Sequence, residues 1–160
     1  MSISTFSIEF SDRDRLIKAA FEGKSFRKIP VTAKRELIIV GAALLITTGE
    51  IIKGANIENA SYGGTICAER TAFVKAVSEG KRSFTGLAVV TDVKSAISPC
   101  GMCRQVIREF CAQTMPILLV PADYEQRLAE GVADGGVKET SIGELLPDSF
   151  GPEDLDRPRA

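Results

Sequence analysis

The apolar residues of this chain fall into short continuous runs that are separated by amphipathic segments. The runs at residues 37–47, 87–91 and 116–120 are rich in aliphatic and β-branched side chains, and they predict buried strands. The turn residues Thr48 and Gly49, followed by Ile51 and Ile52, predict that the first run folds back as a hairpin.

Other segments carry apolar residues at helical spacing. Residues 11–14 resemble a capping box and predict a helix that ends at Gly23, with Leu16, Ala19 and Ala20 facing inward. Further helices are predicted over residues 65–77, from Cys100 onward after Pro99, and over residues 141–146. Helices and strands therefore alternate along the chain, which predicts an α/β fold with a mixed sheet.

No internal repeat, low-complexity tract or linker divides the sequence. We therefore expect one domain over residues 1–160, in which residues 151–160 form a polar, frayed C-terminal tail.

Charge and hydropathy narrow the classes of partner. The net charge is −1, from 20 basic and 21 acidic residues, and this near balance argues against nucleic acid and for a small diffusible substrate. The longest apolar stretch, residues 37–46, is too short to cross a bilayer, and no secretory signal opens the chain. These observations predict a cytoplasmic protein without a membrane partner.

The candidate chemistry lies in two short cysteine motifs. One is Cys67-Ala-Glu69, and the other is Cys100-Gly-Met-Cys103 preceded by Pro99. Zinc prefers four tetrahedral ligands, and a catalytic site leaves one of these positions open to water. Because the chain contains no histidine, any zinc site that it builds has to use cysteine. Three cysteines then hold one zinc ion, and Glu69 is free to transfer protons.

Two other interpretations of the cysteines are open at this point. Cys100 and Cys103 by themselves are also typical of a redox pair or of half of a structural zinc site. A structural site needs a fourth protein ligand, and Cys111 is the only cysteine left. It lies more than two helical turns beyond Cys103, so we expect Cys111 to be a buried apolar residue instead.

Three thiolates give a bound zinc ion a net charge of −1, which calls for a compensating cation. Cys67 and the second motif are expected at two helix N-termini, where unpaired backbone N–H groups favour thiolate over thiol. Arg70 is our first candidate for a hydrogen-bond donor to the sulfurs, and Arg104 is the second.

Together the two motifs reproduce the known signature of zinc-dependent deaminases. The chain resembles the homotetrameric nucleoside-deaminase branch of the cytidine deaminase family, and the similarity extends to residues 40–44, 54–62, 103–105 and 144–147. The resemblance implies a three-layer α/β/α fold around a mixed five-stranded sheet. It also implies one zinc ion per chain, a homotetramer, and hydrolytic deamination of cytidine and deoxycytidine in pyrimidine salvage.

The resemblance also implies roles for particular residues. Glu69 takes a proton from water, protonates ring nitrogen N3 of the pyrimidine, and later protonates the departing amine. Asn56 and Glu58 alternate along an extended segment, so that their side chains share one side and bind the ribose. The remaining substrate-binding residues are, by resemblance, Ala60, Tyr62 and Phe150. Tyr62 and Phe150 are lent to a neighbouring subunit's pocket, and for both of them core packing is the alternative.

The resemblance weakens at residues 30–41. Family members usually carry Pro-Tyr-Ser-x-Phe-x-Val-Gly here, and the phenylalanine stacks on the base. In this chain the segment is longer, Ile38 stands in place of the phenylalanine, and Phe26 lies outside the register. Two alternatives therefore stay open: a catalytically weak or silent homologue, and a deaminase of another amino-heterocycle nucleoside. Asn56 and Glu58 argue against the second.

Overall fold

The computed structural model describes residues 8–26 and 38–159, and within them the strands form one five-stranded mixed sheet. The strands are β1 (Val40–Ile46), β2 (Ile51–Ala55), β3 (Phe84–Thr91), β4 (Pro116–Val120) and β5 (Lys138–Ser141). Their order across the sheet is β2-β1-β3-β4-β5. Strands β3 and β4 run parallel, and all other neighbouring strands run antiparallel.

Helices cover both faces of this sheet. In the described residues they are α1 (Phe10–Ser25), α2 (Ala68–Ser78), α3 (Gly101–Phe110), α4 (Tyr124–Ala129) and α5 (Ile142–Leu145). Strand residues alternate between two separate cores, so Leu44 packs with α2 and α3 on one face while Leu45 packs with α1 on the other. Double-sided burial explains why the strands read as continuous apolar runs. The predicted three-layer α/β/α fold is confirmed.

A close backbone contact sets the position of α2. A Cβ atom on Gly54 of β2 would lie 2.2 Å from the backbone oxygen of Ala68 and 2.7 Å from the backbone nitrogen of Ala72. Only glycine leaves room for α2 to approach the strand this closely. Its N-terminus is therefore held directly against the edge strand of the sheet.

The start and end of the first helix differ from the prediction. The N-cap residue is Glu9 and makes no side-chain capping bond, so Ser11 lies inside α1 and does not open it. Gly23 also lies inside the helix, where it packs against the backbone oxygens of Ala42 and Gly54. A glycine often ends a helix, but Gly23 instead allows α1 to pack closely against the sheet.

The C-terminal stretch is anchored at its beginning. Gly151 is buried, and Glu153 forms an ion pair with Arg108 of α3.

Helix α4 and strand β5 were not predicted, because both are short and largely polar on their exposed sides. Across the described residues, none of the helices combines the length and hydrophobicity needed to cross a bilayer.

Candidate active site

The N-termini of α2 and α3 bring three cysteines together. Cys67 is the N-cap residue of α2, Cys100 is the N-cap residue of α3, and Cys103 follows in the first turn of α3. The Sγ atoms of Cys67 and Cys100 are 3.8 Å apart, and those of Cys100 and Cys103 are 3.5 Å apart. A tetrahedral zinc ion with Zn–S bonds of about 2.3 Å separates its sulfurs by about 3.8 Å. The geometry of the three sulfurs fits zinc.

The ionisation of these thiols also suits a metal site. A hydrogen bond from Cys103, supported by those from Arg70 and Cys100, lowers the pKa of Cys67 to about 5. The same hydrogen bond, together with burial and the nearby negative charges, raises the pKa of Cys103. Neighbouring thiolates repel one another, and a divalent cation offsets this repulsion. The ligand set therefore suits a soft divalent metal such as zinc.

Among the described residues, Arg70 is the cation that hydrogen-bonds to one of these sulfurs. Its Nη2 atom lies 3.8 Å from the sulfur of Cys67 and donates a hydrogen bond of 3.3 Å to the backbone oxygen of Thr65. Arg104 lies differently: it donates to the backbone oxygens of Pro99 and Leu145, both at 2.7 Å. Arg104 thus meets the metal site only through the carbonyl that precedes Cys100, while Arg70 faces a sulfur directly.

Glu69 places a buried carboxylate beside the cysteines. The residue is 4% exposed, and its Oε2 atom has no hydrogen-bond partner among the described residues. Burial, aided by the negative charge of Cys67, raises the pKa of this carboxyl group above its usual range. An unsatisfied buried carboxylate oxygen is costly in a folded protein, and such groups occur where a ligand or a reaction uses them.

Asn56 and Glu58 lie where β2 leaves the sheet, and their side chains do share one side. The Nδ2 atom of Asn56 donates to Oε1 of Glu58 at 2.7 Å, and its Oδ1 atom accepts from the backbone nitrogen of Val40 at 3.1 Å. A longer contact of 3.4 Å joins Nδ2 to the backbone oxygen of Ile38. Asn56 therefore also ties β2 to β1, a structural role that the alternating pattern alone did not reveal.

The remaining predicted substrate residues lie on the surface of the single chain. Ala60 is exposed, Tyr62 begins the short 3-10 turn Tyr62–Gly64 and is 77% exposed, and Phe150 is 59% exposed. Core packing, the alternative for both aromatic residues, is excluded. Gln105 of α3 holds the backbone of Phe150 by a hydrogen bond of 3.0 Å to its carbonyl oxygen.

Most of the atypical segment at residues 30–41 lies outside the described residues, which resume at Ile38. Ile38 is 49% exposed. Phe26 is 65% exposed, and the Nζ atom of Lys53 lies 5.5 Å from its ring centroid.

Cys111 is buried directly after α3, where burial raises its pKa to about 12, as expected for a cysteine that is not a ligand.

Known proteins resemble this chain over most of its length. Residues 25–119 match the cytidine and deoxycytidylate deaminase zinc-binding region. A cytidine deaminase of Halalkalibacterium halodurans is 46% identical over 144 residues, which cover 90% of this chain and 98% of the relative. Another, from Sporosarcina psychrophila, is 52% identical over 116 residues, or 72% of this chain and 77% of the relative.

A solved structure agrees with these sequence matches. The crystal structure of cytidine deaminase from Burkholderia pseudomallei superimposes with a TM-score of 0.71 and 38% identity, covering 86% of this chain and 98% of that one. The shared fold and the matching zinc-binding region make this chain a zinc-dependent deaminase. It belongs to the cytidine and deoxycytidylate deaminase family.

Proposed function

We propose that this chain catalyses the zinc-dependent hydrolytic deamination of cytidine and deoxycytidine to uridine and deoxyuridine, with release of ammonia. The observation that carries this proposal is the buried Glu69 carboxylate, one oxygen of which lacks a partner among the described residues, beside a three-sulfur metal site. Relatives named as cytidine deaminases, one of them matched over almost its whole length, support the same substrate.

Cys67, Cys100 and Cys103 are the proposed ligands of one zinc ion per chain. When it is bound, zinc lowers the pKa of a water molecule so that the water becomes a nucleophile near neutral pH. Arg70 is placed to offset the excess negative charge of three thiolates, because its guanidinium group faces the sulfur of Cys67. Arg104 supports the Pro99 carbonyl and so helps to fix the start of α3.

Glu69 is the proposed proton carrier. Its carboxylate accepts a proton from the attacking water and donates it to N3 of the pyrimidine while the water oxygen bonds to C4. It then carries the remaining proton of the new C4 hydroxyl group to the amine, so that the C4–N bond breaks, ammonia leaves and the C4 carbonyl forms. Burial favours the protonated form of Glu69, which suits a group that has to donate a proton to a ring nitrogen. The position of Glu69, two residues after Cys67 in the first turn of α2, brings it to the metal site without making it a ligand.

Asn56 and Glu58 are the proposed ribose contacts. The hydrogen-bonding groups of Asn56 are largely engaged by the protein, so the residue acts mainly by orienting Glu58. The second carboxylate oxygen of Glu58 can then accept a hydrogen bond from the 3′-hydroxyl group of the sugar. A pair of this kind favours nucleosides over free bases, because a free base leaves the carboxylate without its partner.

The proposed assembly is a homotetramer in which Tyr62 and Phe150 complete the pocket of a neighbouring subunit, while the exposed Ala60 is a further proposed substrate contact. The large exposed area of both aromatic side chains supports this arrangement. Light scattering should return four times the mass of one chain. Mixing Phe150→Ala chains with Glu69→Gln chains should partly restore activity, because some mixed sites carry neither change; an active monomer would contradict the assembly.

The proposed cellular setting is nucleoside salvage in the cytoplasm. All four cysteines are free thiols in the structure, and a reducing compartment keeps such thiols available as metal ligands. A balanced net charge of −1 supports a small substrate over nucleic acid.

An ultraviolet assay with purified, zinc-loaded protein tests the proposed function. Cytidine and deoxycytidine should both be consumed with equimolar release of ammonia, and free cytosine should react far more slowly. If a folded, zinc-loaded sample consumes neither cytidine nor deoxycytidine, the chain is better explained as a catalytically silent homologue. Faster turnover of a different aminonucleoside than of cytidine would favour the other alternative.

A further inference from the structure

Two side chains of α3 hold the segment that carries Phe150. Gln105 donates to the carbonyl oxygen of Phe150 at 3.0 Å. One turn further along the helix, Nε of Arg108 donates to Oγ of Ser149 at 3.1 Å, and its Nη2 atom pairs with the carboxylate of Glu153. We refer to the contacts of Arg108 with Ser149 and Glu153 as the C-terminal clamp. The clamp contacts the chain on both sides of Phe150.

Arg108 is built into the fold. Its side chain is only 7% exposed, and a Cβ atom on Gly151 would lie 2.2 Å from its Nη2 atom, so a side chain at position 151 would displace the guanidinium group. The backbone nitrogen of Gly151 donates to Oδ2 of Asp154 at 2.8 Å, which closes the turn Pro152–Asp154 below the guanidinium group. A planar guanidinium group with fixed partners on two sides holds one geometry more strictly than a flexible ammonium group does.

The clamp connects Phe150 to the helix that carries the metal ligands. Cys100 and Cys103 lie at the first turn of α3, and Arg108 lies near its end. The helix backbone is rigid, so the clamp fixes the position of the Phe150 backbone relative to these cysteines. The Phe150 ring is 59% exposed, so the protein holds it mainly through its neighbours and leaves its surface free for contact.

We propose that Arg108 is a positioning residue for Phe150 and holds its ring ready for the nucleoside pocket. This inference rests on the proposed function, in which Phe150 contributes to the pocket of a neighbouring subunit. Holding the ring in place before binding avoids an ordering cost at the moment of binding. Release of the clamp lowers the fraction of chains with a competent ring, and the apparent affinity falls by the same fraction.

A fluorescent probe tests the positioning without any need for activity. The chain contains no tryptophan, so Phe150→Trp introduces a single indole at the position in question. Adding Arg108→Met, which keeps the length of the side chain but removes its donors, should lower the fluorescence anisotropy and increase quenching by acrylamide. Arg157→Met is the matched control, because Arg157 pairs with Asp154 in the same segment and its side chain is 75% exposed; it should change neither signal.

Kinetics test what the positioning does. Arg108→Met should raise KM for cytidine about five- to tenfold while zinc content and kcat change little, as expected when a competent conformation becomes a minor one. In a Phe150→Ala background the same change should have no further effect on KM, because Arg108 acts through the ring. Glu153→Gln releases the clamp from its exposed end and should shift KM in the same direction, so it decides the question if Arg108→Met does not fold.

Either of two results would overturn the inference: unchanged anisotropy after release of the clamp, or a KM shift of equal size with and without Phe150. An unaltered KM in Phe150→Ala itself would overturn it as well, since no ring would then need positioning. Failure of the wild-type chain to deaminate cytidine would instead count against the proposed function, and the fluorescence result would still decide whether the clamp holds the segment.

Discussion

Replacing Glu69 by glutamine separates the effect of this residue on the free energy of unfolding from its role in catalysis. The change keeps the shape of the side chain and leaves the three cysteines in place, so fold and zinc content should persist. Proton transfer fails without a carboxylate, and we expect kcat to fall by about 10²- to 10⁴-fold, or about 3 to 5 kcal/mol in the activation barrier.

The same substitution should make the metal-stripped protein more stable. Oε2 of Glu69 is buried without a partner among the described residues, and leaving such a group unsatisfied costs about 1–3 kcal/mol. A neutral amide recovers part of this cost, so the free energy of unfolding should rise by about 1 kcal/mol. Activity and stability would then change in opposite directions, as expected where function retains a group that the fold alone does not favour.

The stability gain should depend on pH. Burial raises the pKa of folded Glu69, so folding favours its protonated form. That contribution to stability is complete below the pKa in the unfolded chain and is lost as the pH rises through the higher pKa of the folded state. Glutamine does not titrate, so the advantage of the variant over wild type should grow across this interval.

The assay combines the rate of cytidine loss by the zinc-loaded proteins with guanidinium chloride denaturation of the metal-stripped proteins. Glu79→Gln is the matched control, because Glu79 is an exposed carboxylate at the other end of α2 and pairs with Lys81. The control should keep wild-type kcat. Retention of more than about a tenth of kcat in Glu69→Gln, a loss below about 1.4 kcal/mol, would refute the proton-transfer role.

Two further predictions concern packing and thiol chemistry. Gly54→Ala should lower the free energy of unfolding by about 1–3 kcal/mol, because the new Cβ atom meets the backbone oxygen of Ala68. Gly101→Ala is the control and should not destabilise the protein, because its new Cβ atom would meet no packed neighbour within 4 Å. Equal denaturation midpoints for the two variants would contradict the role of this close contact. In metal-stripped protein at pH 7, Cys67 should react with iodoacetamide well before Cys111, because its pKa is lowered to about 5 and that of Cys111 is raised to about 12. Mass spectrometry of the labelled peptides measures this order, and equal labelling of the two cysteines would contradict it.

The sequence predicted the cluster of three cysteines, because they lie in two compact motifs. Cys67 and Cys100 each precede a helix, and helix N-termini are signalled locally by proline and by the onset of an apolar period. The strands were equally clear, since burial on both faces produces continuous apolar runs. Helix boundaries were less so: the pattern at Ser11 had the form of a capping box but made no cap.

Contacts between distant parts of the chain were beyond local patterns. Arg104 was expected near the sulfurs, yet its hydrogen bond to the Leu145 oxygen spans 41 residues of sequence. Arg108 and Glu153 are 45 residues apart, and nothing in either neighbourhood indicates that they pair. Gly54 shows the same limit, because the helix that requires a glycine there begins well after it in the sequence.

Stepwise addition of zinc to metal-stripped protein, with the rate of cytidine deamination followed at each step, shows whether the reaction depends on one zinc ion per chain. The rate should rise in proportion to added zinc and reach a plateau at about one ion per chain, the stoichiometry of a mononuclear site. Full activity in the metal-stripped protein, or no deamination with one zinc ion bound per folded chain, would contradict it.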